Sequence, residues 1–281
     1  MFSVLSSLVV GLSLLFSSGV FAAASAQAIT ELVNKARGHV ERHEKEAWLD
    51  SFSATGQATD PMGTPSHIGR EALGHFNDAL IAANNISFVD HWMFTNGLSQ
   101  WRRSDVVIRN GSSETRVPAY IHYQLVAEGK ELKLQNMNAY WYMPGVQMGL
   151  GGKLRRSGPM LRHLGLCKTW KFFRDGMWRT VGQGIVEESD FGVAQTNERQ
   201  LPEACEVIHI SSTGERTTVD RQNFSIITHE DSIVSGYFVA SKSSLQLVSR
   251  ADRGEKAMEG ISVVHFSKQK HMTQIEFYEG E

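Results

Sequence analysis

The stretch Phe52-Ser53-Ala54-Thr55-Gly56-Gln57-Ala58-Thr59-Asp60-Pro61-Met62-Gly63, followed by Pro65 and by Gly69-Arg70-Glu71-Ala72, decides how the first half of this chain folds. Asp60 precedes a proline, whose ring pushes the residue before it out of helical backbone and into extended backbone. Pro61, Gly63 and Pro65 then make a turn, and Asp before Pro and Gly is a common turn former in its own right. Regular structure therefore ends before Asp60 and begins again after Pro65. Upstream, Ile29, Val33, Ala36, Val40, His43 and Ala47 recur at alternating spacings of four and three, which predicts one helix over residues 30–52 with Thr30 as its cap. Downstream, Leu73, Phe76, Ala79, Leu80 and Ala83 give an apolar side to a second helix over residues 66–84, capped by Ser66.

After Asn85 the character changes. Residues 86–95, 105–109, 116–127 and 131–143 are rich in Val, Ile, Tyr, Trp and Phe, and Asn110-Gly111 and Glu128-Gly129 mark tight turns between them. The segment 144–166 breaks this pattern; its centre, MGLGGKLRRSG at 148–158, predicts a surface loop insertion. A hairpin is expected around Asp175-Gly176. Further strands are expected at 206–210, 223–228, 233–240, 245–249, 261–267 and 273–278. Two helices, a strand-rich sheet and a second strand-rich block make an α+β fold.

The Phe52-x7-Asp60-Pro61-Met62-Gly63 run with Gly69-Arg70-Glu71-Ala72 resembles the ketosteroid isomerase, SnoaL-like branch of the nuclear transport factor 2-like superfamily. The resemblance implies a cone in which helices close a curved, mostly antiparallel sheet around an apolar pocket. It implies cofactor-independent proton transfer next to a carbonyl of a steroid-like or polyketide-like substrate, as in a steroid delta-isomerase. Asp60 matches the carboxylate base of that family. The family's oxyanion hole pairs a helix Tyr with an acid; here Ala36 or a near neighbour stands at the first position and Asn138 falls at the second. An Asn amide can donate to a developing oxyanion. By strand alternation Asn138 shares a face with Tyr140, and His122 is its expected neighbour. His43, Phe52, Met62, Phe76, Trp92, His122 and Tyr140 are the expected pocket walls, with plain core as the competing reading for each. The rival to an enzyme is a non-catalytic ligand-binding or assembly module of the same fold.

Val263-Val264-His265-Phe266 and Glu276-Phe277-Tyr278-Glu279-Gly280-Glu281 resemble the closing hairpin of the same family. We divide the chain into residues 1–28, a ketosteroid isomerase-like domain at 29–184 that carries the 144–166 insertion, and a β-rich domain at 185–281. The last is either a degenerate repeat of the cone or an unrelated β-barrel-like domain. Where a repeat would need its own Asp-Pro turn, only Asp190-Phe191-Gly192 is present, so no catalysis is assigned there.

The 281 residues carry 41% hydrophobic and 21% charged side chains and a net charge of −2, which excludes disordered and collagen-like classes and leaves no basic footprint for nucleic acid. Residues 1–28 have no charged side chain and end in Ala24-Ser25-Ala26 and Ala26-Gln27-Ala28. This reads as a secretory signal peptide, so a secreted or periplasmic protein, with an uncleaved membrane anchor as the alternative. Cys167 and Cys205 either pair or stay as buried thiols. His39 and His43 stand four apart but lack a third ligand at a legible spacing, so no metal is expected, and no cofactor either. A small apolar ligand is the expected partner, and a homodimer is left open.

Overall fold

The computed structural model describes residues 25–62, 65–111, 113–141, 206–219, 226–228, 233–239, 242–253, 258–266 and 272–280. Residues 1–24, the expected insertion at 144–166, the expected hairpin around Asp175-Gly176, Cys167, Cys205 and Asp190-Phe191-Gly192 lie outside them.

Helix α1 (Ala26–Glu41) opens at Ser25, whose Oγ accepts the Ala28 amide N–H at 3.1 Å, five residues before the expected cap Thr30. Its apolar stripe, Ile29, Val33, Ala36 and Val40, is buried as the spacing requires. The single long helix is not what forms. The chain breaks after Glu41 and restarts as α2 (Lys45–Asp50), with His43 at a φ of +56° between them. No Gly or Pro marks the break. Instead Glu44 gathers Arg42, through Nε and Nη2 at 2.9 Å each, and His39 Nδ1, which closes the chain on itself.

Phe52 opens strand β1 (Phe52–Thr59) instead of ending a helix, and Asp60 follows it, joined to Pro61 by a cis peptide bond. The second helix is shorter than its periodicity suggests. A two-residue strand β2 (His67–Ile68) pairs with β1, α3 (Gly69–Phe76) starts at Gly69 with φ +79°, and one wide π-type turn covers Asn77–Ile81. Ser66 caps nothing; its hydroxyl meets that of Thr59 at 2.7 Å. Strands β3 (Asn85–Asn96), β4 (Ser99–Asn110), β5 (Ser113–Glu128) and β6 (Glu131–Tyr140) form an antiparallel meander, and β6 then lies parallel to β1. The order across the sheet is β2-β1-β6-β5-β4-β3.

Alternation gives this sheet two faces. Ala119, Ile121, Tyr123, Leu125 and Ala139, with Met137 and Trp141, face inward and pack under Ile29, Val33, Trp48, Phe52 and Phe76. This is the core of the cone. Trp101, Tyr120 and Tyr140 face the other way and are buried as well, because a second sheet covers them.

That second sheet is built from β7 (Glu206–Ile210), β8 (Arg216–Thr218), β10 (Ile233–Val239), β11 (Lys242–Arg253), β12 (Met258–Phe266) and β13 (Met272–Glu279), with β9 (Ile226–Thr228) beside β11. Its order is β8-β7-β13-β12-β11-β10; β7 and β13 run parallel and every other neighbour on that path is antiparallel. Strand for strand this repeats the order and directions of the first sheet. Ile261, Val263 and Tyr278 lie against Trp101, Tyr120 and Tyr140, so the two sheets stack face to face. No described helix covers the second sheet's other side, and no described helix is long and apolar enough to cross a membrane.

Candidate functional site

Asp60 sits at the end of β1, where the chain leaves the sheet. The Met62 amide N–H donates to the carbonyl of Ala139 at 2.6 Å, which pins the turn to β6. Asp60 is half-buried, and its Oδ1 accepts the indole N–H of Trp141 at 2.5 Å. Burial pushes its carboxyl up to about pH 6, against the lowering effect of that indole bond. No cation pairs with Asp60 among the described residues. Arg70, the obvious sequence neighbour, reaches outward to Asp50 at 2.7 Å and Glu46 at 2.6 Å.

Trp141 belongs to the inward-facing set, so Asp60 is placed with the interior of the cone. Tyr123 on β5 faces the same interior and is 2% exposed. Burial raises the pKa of its phenol, and it lies within electrostatic reach of Asp60, Arg37, Arg102 and Asp90. A phenol held neutral in this way keeps its proton for donation.

Further along the same face is a polar cluster that joins three elements. Arg37 of α1 and Arg102 of β4 both bind Asp90 of β3, at 2.8 and 2.9 Å. Ser104 Oγ donates to Asp90 at 2.6 Å, Arg102 Nε donates to Gln100 Oε1 at 2.7 Å, and Gln100 in turn donates to Thr30 at 2.7 Å. Burial opposes ionisation of Asp90, yet Ser104 and the two guanidinium groups hold its carboxyl below its ordinary value.

The sequence-predicted residues divide between three places. Asp60, Phe52 and Phe76 belong to the cone side, Phe52 and Phe76 as wall against Trp48. Asn138, His122 and Tyr140 are brought together as cross-strand and same-face neighbours, since Asn138 opposes His122 and Tyr140 opposes Tyr120. Their face is the outer one, however, turned from Asp60 by the same alternation that turns Ala139 and Trp141 toward it. Met62 and Trp92 pack into that inter-sheet cluster too. The oxyanion pairing expected of Asn138 with Tyr140 or His122 is therefore not formed beside Asp60. His43 is no wall: it is exposed at the break after α1, with Nε2 at 3.1 Å from Asn85 Oδ1. Among the described residues no three His, Cys, Asp or Glu side chains gather as a metal site.

Residues the sequence reading passed over are Tyr123, Trp141, Arg37, Asp90 and Arg102. A signal for Tyr123 was present: it alternates in step with Ile121 and Leu125, the apolar side of β5.

With this geometry in place, comparison with known proteins gives the following. No family model matches the chain, and no curated protein matches it. Solved structures do match its N-terminal 43% or so. These neighbours are ketosteroid isomerases, polyketide cyclase-like and nuclear transport factor 2-like proteins. RV0760c from Mycobacterium tuberculosis is 21% identical over 43% of this chain and 96% of its own, with a TM-score of 0.39. That protein is also known in complex with estradiol-17beta-hemisuccinate. The Delta 5-3-ketosteroid isomerase from Mycobacterium sp. is 17% identical over 42% of this chain and 95% of its own, with a TM-score of 0.38. A nuclear transport factor 2-like protein from Cytophaga hutchinsonii is 18% identical over 42% and 94%, with a TM-score of 0.34.

Proposed function

We propose that the N-terminal cone binds a small, largely apolar carbonyl compound and moves a proton between two of its carbons, with Asp60 as the base. The observation that carries this reading is a half-buried carboxyl, bonded to an indole and paired with no cation among the described residues, that burial pushes up to about 6. A surface turn former has no reason to be desolvated. A general base works best when its pKa lies near the working pH, and desolvation is the usual way to raise a carboxyl to that range.

In the proposed reaction the Asp60 carboxylate takes a proton from the carbon next to the ligand's carbonyl. The electron pair moves onto the carbonyl oxygen. Tyr123, buried and neutral, is the donor assigned to that oxygen, in place of the helix tyrosine that the chain lacks. Asp60 then returns the proton at the conjugated carbon, so the step is balanced and needs no co-reactant. Trp141 holds the carboxylate in one orientation throughout. The uncharged leader supports placing this activity outside the cytoplasm.

The second reading, binding without turnover, draws its support from Asn138 and Tyr140 facing away from Asp60. One experiment separates the two. An unconjugated ketosteroid offered to the full-length protein is expected to isomerise to the conjugated enone, followed by its absorbance. Asp60→Asn is expected to slow this by roughly 10²–10⁴-fold. A rate untouched by the substitution removes Asp60 from the mechanism. Ligand-dependent tryptophan fluorescence with no turnover in either protein establishes the binding module instead.

A further inference from the structure

We infer that the ligand of the cone carries an anionic group, a carboxylate in the simplest case, and that Arg102 receives it; this rests on the cone being a small-molecule site. The observation is a charge that does not balance. Arg37 and Arg102 share one carboxylate, Asp90, so the cluster carries a surplus positive charge. Arg102 bears most of the consequence, being 2% exposed. Its Nε is taken by Gln100 and its Nη1 by Asp90, while its Nη2 is buried with no hydrogen-bond partner among the described residues.

A buried guanidinium edge with nothing to donate to is costly, and a second cation beside it adds to the cost. Proteins keep such an arrangement when something else supplies the acceptor. Thr30, Gln100 and Ser104 are engaged in hydrogen bonds within the cluster, and among the described residues none of them accepts from that Nη2. Arg102 shares the interior face with Tyr123, and Tyr123 is within electrostatic reach of both Arg102 and Asp60. One ligand entering the cone can therefore present a carbonyl toward Tyr123 and Asp60 and an acid group toward Arg102. A planar guanidinium edge suits a carboxylate oxygen in geometry as well as charge.

The test uses the full-length protein and two probes of almost equal shape, 3-oxoandrost-4-ene-17β-carboxylic acid and its methyl ester, titrated at neutral pH with tryptophan fluorescence as the readout. The acid is expected to bind at least about tenfold more tightly than the ester, the difference of one charge-assisted hydrogen bond. Arg102→Gln is expected to remove that preference, and Arg102→Lys, which keeps the charge without the fork, to restore part of it. Equal affinity of the wild type for acid and ester overturns this inference and leaves the Asp60 chemistry standing. Binding of neither probe overturns both. A preference that survives in Arg102→Gln moves the anion site elsewhere. Should Arg102→Gln fail to fold, the wild-type comparison of acid with ester still decides.

Discussion

A carboxyl that gives up its proton only near pH 6 in the folded chain would do so near pH 4 in the unfolded one. Asp60 therefore binds more protons folded than unfolded between those values. Its contribution to stability is fully present below about pH 4 and is lost as pH rises to about 6, by no more than roughly 3 kcal/mol. Asp60→Asn has no such titration. Thermal melts of the two proteins across pH 3.5–7.5 are expected to show the variant gaining on the wild type between pH 4 and 6 and holding a constant margin above that. Parallel melting curves across the whole range would place the carboxyl in water and end its candidacy as a base. Asp60 beside Pro61 was legible in the sequence because turn chemistry is local. Its indole partner was adjacent to a named wall residue, one position past Tyr140, yet a shift of one residue on a strand changes the face.

Among the elements, the β3–β4 turn ties the first sheet to the second. Asn96 Nδ2 donates to the carbonyls of Ser211 and Glu279 at 2.5 and 2.6 Å, and the Gly97 amide donates to Ser212 at 2.6 Å. Gly97 has a φ of +53°, and a Cβ there would lie 2.7 Å from the Thr213 carbonyl oxygen. Gly111, at the next turn, has a φ of +60° with open space around it. Both Gly→Ala substitutions incur the left-handed backbone penalty, about 1–2 kcal/mol. Only Gly97→Ala also displaces a neighbouring backbone. Urea denaturation is expected to find Gly97→Ala less stable than Gly111→Ala by at least about 1 kcal/mol; equal losses would mean that the turn does not bear on the second sheet. The same scale explains why α1 ends before the periodicity does. The run from Glu41 to Lys45 holds good helix formers and no breaker, so periodicity carried through it. A set of contacts among His39, Arg42 and Glu44 ended α1 instead.

For the whole molecule, the two stacked sheets share one strand order, and the turn after the first strand of each can be compared. Thr59 pairs with Asn138 of β6 and is followed by Asp60; Ile210 pairs with Tyr278 of β13 and is followed by Ser211. Ser211 Oγ is occupied within its own turn, meeting Thr213 Oγ1 at 2.9 Å and accepting from Glu215 N–H at 3.1 Å. The acid is thus found at one of the two equivalent positions. Between the sheets His122 stacks on Trp101 at 4.2 Å, edges Tyr278 at 5.3 Å, and has a buried Nε2 with no hydrogen-bond partner among the described residues. The charged group that bears on it is Glu276, held by Arg216 and Tyr278 and facing His265. Burial takes His122 down to about pH 4, with Glu276 opposing. The unfolded chain therefore binds more protons here between pH 4 and 6.5, and stability falls as pH drops through that window, by roughly 3 kcal/mol. His122→Phe is expected to flatten this acid limb while Asp60→Asn steepens it, read by melts of both variants against the wild type. A His122→Phe profile that still falls as the wild type does would assign the acid limb to other groups.

Composition, turn residues and alternation by themselves determined roughly where β3 to β7 and β9 to β13 run, that amphipathic helical segments precede them, and that an acid stands at the first turn, because each depends on neighbours a few residues away; β1, β2 and β8 were not legible in this way. Only the tertiary structure decided which face of the first sheet is the inside. Both faces of β5 carry large apolar or aromatic side chains, Ile121 and Tyr123 on one, Tyr120 with His122 on the other, because both are buried: one under the helices, one under a second sheet that begins at residue 206. Arg37, Asp90 and Arg102 come from a helix and two strands, and nothing local joins them. Their meeting follows from the pairing of β3 with β4 and the packing of α1 across both, and those long-range contacts leave no spacing in the sequence to read.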